Sequence, residues 1–253
     1  MTRVILCGCS GYMGRVVTEI IAADPDAEIV AGVDPFDAGD KSYPVYSDIR
    51  QCEAEADALI DFSSPKALEG LLSYCVEKKL PAVFCTTGYS EEQLGMIHAS
   101  SEKIAVMKSA NMSLGINMLL KLIQDAAKLL APAGFDMEIV EKHHNRKVDA
   151  PSGTALALAD SLNEALDQEY EYVYDRSGRR EQRSKYEIGI SAVRGGNIVG
   201  EHDVIFAGLD EVITFRHTAY SRSVFAKGAV QAAKYLAGKL AGFYDMGDVV
   251  AAV

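Results

Sequence analysis

The sequence predicts an α/β protein built on a doubly wound parallel sheet. Up to about residue 110, short continuous apolar runs alternate with amphipathic helical patterns, as in a sheet covered by helices on both faces. A glycine-rich turn joins the first apolar run to the first helix, and an aspartate ends the second run. Together these features indicate a sheet that binds a nucleotide at the carboxyl ends of its strands.

The apolar runs of the first half have the length and composition of buried strands. The first covers 4–7, a helical pattern follows at 16–21, and the second strand covers 28–33. Because strand, helix and strand then repeat, consecutive strands are expected to lie parallel, joined by helical crossovers. The further strands are predicted at 58–62, 82–85 and 104–107, and the helices between them near 66–78 and 91–101.

The turn after the first strand places a glycine at every third position from Gly8 to Gly14. Without side chains there, backbone N–H groups can approach a pyrophosphate, whose charge is favoured by the positive end of the helix dipole. Such glycines also simply permit close packing of strand and helix, and alone they are weakly specific. Asp34, 20 residues after Gly14, adds a carboxylate suited to the ribose hydroxyls of an adenosine, although it could also be an ordinary turn residue before Pro35.

The second half changes character near residue 111, which indicates a second domain. A helix is predicted at 114–130 and an alternating strand at 135–141, and a further helix presents an apolar face from Ala155 to Leu166. The polar stretch 168–185 is predicted as an exposed loop. Segments 188–193, 199–206 and 212–219 are predicted as an antiparallel meander, and 224–240 as a closing helix with Leu240 in its core face.

Charge and cysteine usage exclude several classes of protein. A net charge of −11 argues against partners such as nucleic acid or anionic membranes, because these require a positive surface. The five cysteines show no zinc-type spacing, so we expect reduced, buried thiols and no metal site. The chain starts with a strand-like run and has no long apolar span, which predicts a cytoplasmic protein.

Residues 141–155 concentrate basic and polar side chains in this acidic chain. If the strand continues, His143 and His144 project to opposite faces, and Lys147 follows one turn later. Ser152 is predicted to cap a helix whose first N–H groups form an anion site. A solvated basic turn is the alternative, but the density of suitable groups favours a site for an acidic small molecule that needs a proton.

The same stretch, Glu-Lys-His-His-Asn-Arg-Lys-Val-Asp-Ala-Pro-Ser-Gly-Thr-Ala, resembles the signature of the bacterial 4-hydroxy-tetrahydrodipicolinate reductases of lysine and diaminopimelate biosynthesis, also called dihydrodipicolinate reductases. The resemblance covers nearly the whole chain. Its other matching stretches are 8–14, 62–65, 86–88, 110–111, 194–202 and 225–229.

The resemblance implies roles for particular positions. His143 matches the catalytic acid/base of the family and Lys147 its proton donor. His144, Gly153 and Thr154 match the residues that hold the carboxylates of a small cyclic dicarboxylate substrate. The matching contacts of the NAD(P)H cofactor are Gly8, Cys9, Ser10, Gly11, Tyr12, Met13, Asp34, Cys85, Thr86, Thr87, Ser109, Ala110, Asn111 and Met112.

The resemblance also implies the domain plan. Family members have a Rossmann-like dinucleotide-binding domain, here expected at 1–111 plus 222–253, which the C-terminal helix completes. An inserted mixed α/β domain, here expected at 112–221, binds the substrate and forms a homotetramer through an open sheet.

Three departures from the family pattern concern the cofactor. Many members carry arginine after the second-strand acid and a basic residue in the glycine turn, where this chain has Pro35 and Tyr12. Without those cations the 2′-phosphate of NADP is poorly balanced, and Asp34 repels it. NADH is therefore the predicted preference and NADPH the second cofactor, with Lys41 as a cation that could reach in from the loop. Cys85, where glycine is common, is the third departure.

Two other functions fit parts of the sequence. An oxidoreductase acting on a semialdehyde or a sugar would keep the dinucleotide half, but has no reason to combine His143, His144 and Lys147 with Ser-Gly-Thr. A dinucleotide-sensing regulator would keep Asp34 and lose the catalytic base. Three further polar side chains, expected to serve the sheet or an interface, are Arg194, Arg216 and His217.

Overall fold

Strands and helices alternate along the chain. The computed structural model describes residues 1–36, 39, 41–109, 111–167 and 169–252. The strands are β1 (Thr2–Cys7), β2 (Ala27–Val33), β3 (Val45–Tyr46), β4 (Ala58–Asp61), β5 (Ala82–Phe84), β6 (Ala105–Lys108), β7 (Asp136–His143), β8 (Glu171–Val173), β9 (Glu187–Arg194), β10 (Gly200–Ala207), β11 (Val212–Ala219) and β12 (Gly242–Tyr244). The helices are α1 (Tyr12–Ala22), α2 (Leu68–Lys78), α3 (Glu91–Ser100), α4 (Leu114–Leu130), α5 (Gly153–Glu164), α6 (Ser223–Leu236) and α7 (Met246–Ala251).

The chain divides into two units, the first made of Met1–Leu114 with Ser223–Val253 and the second of Gly115–Arg222. The first unit is built on a parallel sheet of order β12-β6-β5-β4-β1-β2-β3, which confirms the predicted fold class. The chain runs outward from β1 to β3 and then crosses to β4 on the other side of β1. Because the winding reverses at β1, the loops after β1 and β4 border the place where such sheets bind ligands.

Helices cover both faces of this sheet, which explains its continuous apolar runs. In β1, Val4 and Leu6 belong to one core together with residues of α1 and α6. Ile5 and Cys7 point the other way, into a core with residues of α2 and α3. All four side chains are buried, as expected for a strand with no solvent face.

Helix α6 completes the first unit, and it packs closely on the loop after β6. A side chain at Gly228 would overlap the carbonyl oxygen of Met112. Ala229, Ala233 and Leu236 on the same helix are buried in the core shared with α1. The small residues of α6 therefore set how closely the helix approaches this loop.

The second unit is a mixed five-stranded sheet of order β11-β10-β7-β9-β8. β7 lies parallel to β9 and antiparallel to β10. The inner face of the sheet packs on α4 and α5, through a core that includes Ile123, Ile139, Leu158, Leu162 and Phe206. This arrangement confirms the predicted mixed α/β architecture.

The predicted antiparallel meander of β9, β10 and β11 is wrong in its pairing. β10 and β11 do form an antiparallel hairpin, but β7 lies between β9 and β10, and β9 is parallel to β7. Alternation of apolar residues predicts a strand without identifying its partner, and strands that are neighbours in sequence need not be neighbours in a sheet.

The predicted exposed loop at 168–185 contains a short edge strand, β8, parallel to β9. Val173 is buried, and two of the arginines that follow, Arg176 and Arg183, are bound to the sheet. Arg176 Nη2 and Arg183 Nε both donate to Glu138 Oε1, at 3.0 and 3.1 Å. Polarity here reflects ion pairing on the outer face of the sheet as well as exposure to solvent.

The closing helix ends earlier than predicted, at Leu236, and Leu240 is exposed instead of buried. Gly238 adopts a left-handed conformation with φ of +79°, which stops the helix. The chain then adds β12 to the edge of the parallel sheet beside β6. Leu240 continues the apolar spacing of the helix, and this spacing predicted a longer helix than Gly238 allows.

The cysteines are free thiols, four of them buried and Cys85 partly exposed. Within the described ranges, no helix is both long and apolar enough to cross a membrane. Over the same residues, histidine, cysteine and acidic side chains form no group of three placed to hold a metal ion.

We expect G228A to destabilise the first unit, because the added methyl must displace the carbonyl of Met112. The cost should be about 2 kcal/mol or more of unfolding free energy, as for other overpacked sites. G95A is the matched control, since Gly95 lies in α3 with open space around it. That variant should be neutral or up to about 1 kcal/mol more stable. Urea unfolding compares the two, and equal midpoints would contradict the packing role of Gly228.

Candidate active site

The glycine turn after β1 is shaped by close backbone packing. Gly8 has φ of +77°, and a side chain on it would lie 2.6 Å from the carbonyl oxygen of Phe62. A side chain on Gly14 would overlap Gly8 and Cys9 in the same way. Gly11, the N-cap residue of α1, has no side chain to accept bonds from the first-turn N–H groups. The turn thus presents backbone at a helix N-terminus, a fit for a pyrophosphate.

Asp34, at the end of β2, is tied to this turn. Its Oδ2 accepts a hydrogen bond from the backbone N–H of Ser10 at 3.0 Å, and its Oδ1 accepts one from Phe36 at 2.9 Å. The residue is buried. Because each oxygen has taken one backbone bond, each retains acceptor capacity for a ribose hydroxyl.

The other predicted cofactor residues lie on the turn or on the loops after β5 and β6, and they differ in exposure. Cys9 and Met112 are buried in the core, so only their backbone could meet a ligand. Thr86 is buried and Thr87 exposed. Ala110 lies outside the described residues. Those at least partly accessible are Ser10, Gly11, Tyr12, Met13, Cys85, Thr87, Ser109 and Asn111.

In the second unit, the inner face of β7 changes from apolar to polar along its length. Met137 and Ile139 are buried in the core, and Glu141 and His143 continue the same face and are buried too. The polar pair therefore sits at the end of the hydrophobic core. Because buried polar groups require partners, neighbouring strands must supply them here.

Glu141 is the centre of the resulting network. Its carboxylate accepts two bonds from the guanidinium of Arg194, at 2.6 and 2.7 Å. It also accepts a bond from the backbone N–H of Ser152 at 3.0 Å and lies 2.6 Å from Nδ1 of His143. Burial acts to raise the pKa of Glu141, but the bonds from Arg194, His143 and Ser152 outweigh it and hold the pKa below its usual value.

His202 on β10 supports this network from the opposite edge of β7. Its ring packs edge-on against His143, with centroids 5.2 Å apart, and its Nε2 is 3.1 Å from Oγ of Ser152. Burial, followed by the nearby His143, lowers the pKa of His202 to about 4. His202 is therefore a neutral ring at physiological pH.

The segment after β7 forms a turn and does not continue the strand. β7 ends at His143, and the carbonyl of His144 accepts a bond from the N–H of Lys147 at 3.1 Å. The prediction of opposite faces for the two histidines therefore does not apply, because His144 is outside the pleat. Partial burial, then Arg146 and further cations including Lys147, lower the pKa of His144.

Lys147 forms an ion pair with Asp149, at 2.8 Å between Nζ and Oδ1. This pairing lowers the pKa of Asp149, and the N–H of Gly153 contributes in the same direction. Asp149 is more than half exposed, with a side-chain exposure of 57%. The acceptor that Lys147 now holds is thus an accessible carboxylate near the start of α5.

Ser152 caps α5 as predicted, its Oγ accepting from the N–H of Ala155 at 3.2 Å. Gly153 is exposed and Thr154 is half-buried at the first turn. Through Ser152 this helix start is bonded to Glu141 and to His202. The described contacts thus connect the polar end of β7 with the start of α5.

Sequence reasoning missed Glu141 and His202, and it expected Arg194 to serve the sheet or an interface without predicting its contact with Glu141. The register of β9 places Arg194 beside His143, and no local pattern shows this. The sequence did contain one indication for Glu141. It lies two residues before His143, so both side chains fall on the core face of the predicted strand. Arg216 does serve the sheet, where its guanidinium binds Asp203 at 2.5 and 2.9 Å.

The neutral burial of His202 predicts a pH-dependent stability. Between about pH 6.5 and 4 the unfolded chain binds more protons at this residue than the folded chain, so the free energy of unfolding falls as pH decreases through that window. The loss due to His202 is at most about 3 kcal/mol. H202Q should flatten the dependence of the urea midpoint on pH, whereas H98Q, in α3 of the other unit, should retain it. Parallel curves for H202Q and the wild type would rule out this origin.

Comparisons with known proteins follow the same division of the chain. The family model described as "Dihydrodipicolinate reductase, N-terminus" matches residues 2–112, and the one described as "Dihydrodipicolinate reductase, C-terminus" matches 115–250. The 4-hydroxy-tetrahydrodipicolinate reductase of Clostridium tetani is 52% identical over 97% of this chain and 96% of its own. That of Caldanaerobacter subterraneus is 53% identical over 99% and 98%.

A solved structure gives the same fold. The dipicolinate-bound dihydrodipicolinate reductase from Paenisporosarcina sp. TG-14 superposes with a TM-score of 0.79 at 24% identity, covering 97% of each chain. At 24% identity this similarity shows a shared fold. Membership of a family is shown instead by the two family models and by the relatives above 50% identity. The chain belongs to the dihydrodipicolinate reductase family.

Proposed function

We propose that the chain reduces 4-hydroxy-tetrahydrodipicolinate, by way of dihydrodipicolinate, to tetrahydrodipicolinate in lysine and diaminopimelate biosynthesis. As a member of its family it is a nicotinamide-dependent oxidoreductase. The observation that carries the proposal is the linkage of His143 and its buried carboxylate to the start of α5, with Lys147 on the intervening turn. Acid–base groups and anion-binding groups are thus joined in one unit of the chain.

The reaction requires a proton as well as a hydride. The nicotinamide, when bound, supplies the hydride to one carbon of the conjugated cyclic imine. His143 and Lys147 are the groups proposed to supply the proton to its neighbour. Loss of water from the hydroxylated ring precedes this step in the family, and His143 can serve it as an acid/base with its buried partner Glu141.

The substrate is a small cyclic dicarboxylate, and the proposed groups for its carboxylates are His144, Gly153 and Thr154. Gly153 presents an N–H group at the exposed start of α5, where the helix dipole favours an anion. Lys147 holds Asp149, and a carboxylate on the substrate would offer it an equivalent acceptor. The imidazole of His144 is half-buried, and burial is the main cause that lowers its pKa. The ring therefore stays neutral to a lower pH than an ordinary histidine, which suits a neutral hydrogen-bond donor.

The proposed cofactor contacts are the glycine turn, Asp34 and the loops after β5 and β6, including Ala110, which the structure does not describe. The backbone cradle of Gly8 and Gly14 and the acceptor capacity of Asp34 fit a dinucleotide diphosphate and its ribose. We propose NADH as the preferred cofactor, because Asp34 would repel a 2′-phosphate and Pro35 offers no cation to balance it.

The proposed division of labour follows the two units. The first, expected at 1–111 plus 222–253, would bind the dinucleotide, and the second, at 112–221, the substrate. The second would also form a homotetramer through its open sheet, as the resemblance to the family implies. A biosynthetic reductase that draws on the nicotinamide pool is expected in the cytoplasm.

Kinetics test the roles of the basic residues. In an assay that follows NADH oxidation by absorbance with enzymatically generated substrate, H143A and K147A should each lower kcat by roughly 10²- to 10⁴-fold. K142A is the control, since Lys142 projects from the other face of β7 and pairs with Glu201. Near wild-type turnover in both H143A and K147A would reject these roles. Binding of NADH without any turnover in the wild type would favour the dinucleotide-sensing alternative.

Cofactor choice is tested by the ratio of kcat/KM for NADH to that for NADPH. We expect the ratio to exceed about 10, the factor that corresponds to one unbalanced charge contact of about 1.4 kcal/mol. The double variant D34S/P35R removes the repelling carboxylate and adds a cation, and should reverse the preference. A wild-type ratio below one would refute the proposed preference and leave the family assignment untouched.

A further inference from the structure

The carboxylate of Glu141 is fully buried, and all of its acceptor capacity is in use. Oε1 accepts from Arg194 Nη2 at 2.6 Å and from the Ser152 N–H at 3.0 Å. Oε2 accepts from Arg194 Nη1 at 2.7 Å and faces Nδ1 of His143 at 2.6 Å. The guanidinium of Arg194 donates to both oxygens, so neither oxygen is left to carry a proton, and this bidentate ion pair keeps the carboxylate ionised.

An ionised carboxylate accepts hydrogen bonds and donates none. The contact of 2.6 Å between Oε2 and Nδ1 is therefore a bond only if Nδ1 of His143 carries the proton. In the neutral ring, Nε2 is then the unprotonated nitrogen. The hydrogen-bond inventory of Glu141 thus selects one of the two tautomers of His143.

The backbone near Nε2 of His143 carries no side chain. Gly200 is the neighbouring residue on β10, and a methyl group there would come within 3.2 Å of Nε2. His202, which packs against the same ring, does so edge-on at 5.2 Å. Nδ1 is therefore held in the protein interior, while glycine at position 200 leaves space beside Nε2.

Arg194 fixes more than the charge of Glu141. Its Nη2 also donates to the carbonyl of Asp149 at 2.7 Å, and its Nη1 donates to the carbonyl of Val193 at 2.7 Å. One guanidinium thus joins the end of β9, the carboxylate on β7 and the turn that carries Lys147. Removal of this cation would leave an uncompensated buried carboxylate, which is costly.

We propose that Glu141, held by Arg194, is a positioning residue that keeps His143 in the tautomer protonated at Nδ1, so that Nε2 is the atom that exchanges the proton in the reaction. A protonated His143 releases its proton from Nε2 and keeps the Nδ1–H bonded to Glu141, and the reverse transfer returns it to Nε2. The inference rests on the proposed function for the use of that proton. The tautomer itself follows from the contacts alone.

The tautomer can be observed without any variant. The full chain contains five histidines, so a spectrum of 15N-histidine-labelled protein shows few imidazoles, and the signals of His143 are identified by their loss in H143N. Long-range 15N–1H correlations, recorded where the ring is neutral, should show Nδ1 protonated and Nε2 unprotonated. A neutral His143 protonated at Nε2 in the wild type would overturn the proposal.

E141Q supplies the perturbation, and D203N supplies the matched control. Both variants change a buried carboxylate that binds an arginine through two bonds in the same sheet, but Asp203 binds Arg216 and not His143. E141Q should shift His143 towards the Nε2–H tautomer and lower kcat by roughly 10²- to 10⁴-fold, as for other wrong-tautomer histidines. KM should change by less than about threefold, and E141D should restore part of kcat by keeping the anionic acceptor.

The outcomes separate the inference from the proposed function. E141Q with the wild-type tautomer and wild-type kcat, or D203N with the same loss of kcat as E141Q, would overturn the positioning role. The predicted tautomer in the wild type, its loss in E141Q and its retention in D203N would support it. If these hold while H143A remains fully active, the failure lies in the proposed use of His143 and not in its positioning by Glu141.

Discussion

The buried carboxylate of Glu141 is the constraint on which the polar site of the second unit depends. An ionised carboxylate in a protein interior costs several kcal/mol unless charge and hydrogen bonds compensate it. The compensation comes from three separate places, Arg194 at the end of β9, Ser152 at the start of α5 and His143 on the same strand. Only a sheet in which β7 lies between β9 and β10 allows Arg194 and His202 to approach it from both edges. The order of strands that the sequence failed to predict is therefore the order that the polar site requires.

Local patterns account for what could be predicted. The first unit repeats one short-range motif, and the two-sided burial of β1 follows from its continuous apolar run. Ser152 was predictable as a cap because capping depends on residues within one turn. Arg194 lies 53 residues from Glu141, and their contact depends on register, which periodicity does not encode. The only sign in the sequence was that polar residues occupy core-facing positions of β7, since buried polar side chains require partners elsewhere in the chain.

The two interpretations of the glycine turn, close packing and ligand approach, describe one structure. Gly8 lets the turn pass against Phe62, and Gly14 lets α1 begin against the turn itself. That packing brings the first-turn amides and the Ser10 N–H to the end of the sheet. There the carboxylate of Asp34 accepts a hydrogen bond from the Ser10 N–H. The orientation of Asp34 is thus set by the same backbone that would receive a pyrophosphate. A substitution in the turn would disturb both the backbone at the start of α1 and the orientation of the Asp34 carboxylate.

Arg194 and Lys147 differ in how deeply their carboxylate partners are buried. Arg194 is bound to Glu141, which is fully buried, so exchange of that partner for an external anion would strand a charge in the interior. Lys147 is bound to Asp149, whose side chain is 57% exposed and can be solvated when its partner leaves. An anionic ligand can therefore compete for Lys147 at little cost but not for Arg194. In a chain with a net charge of −11, this difference in partner burial, and not the number of basic residues, determines which of the two cations is available to the proposed substrate.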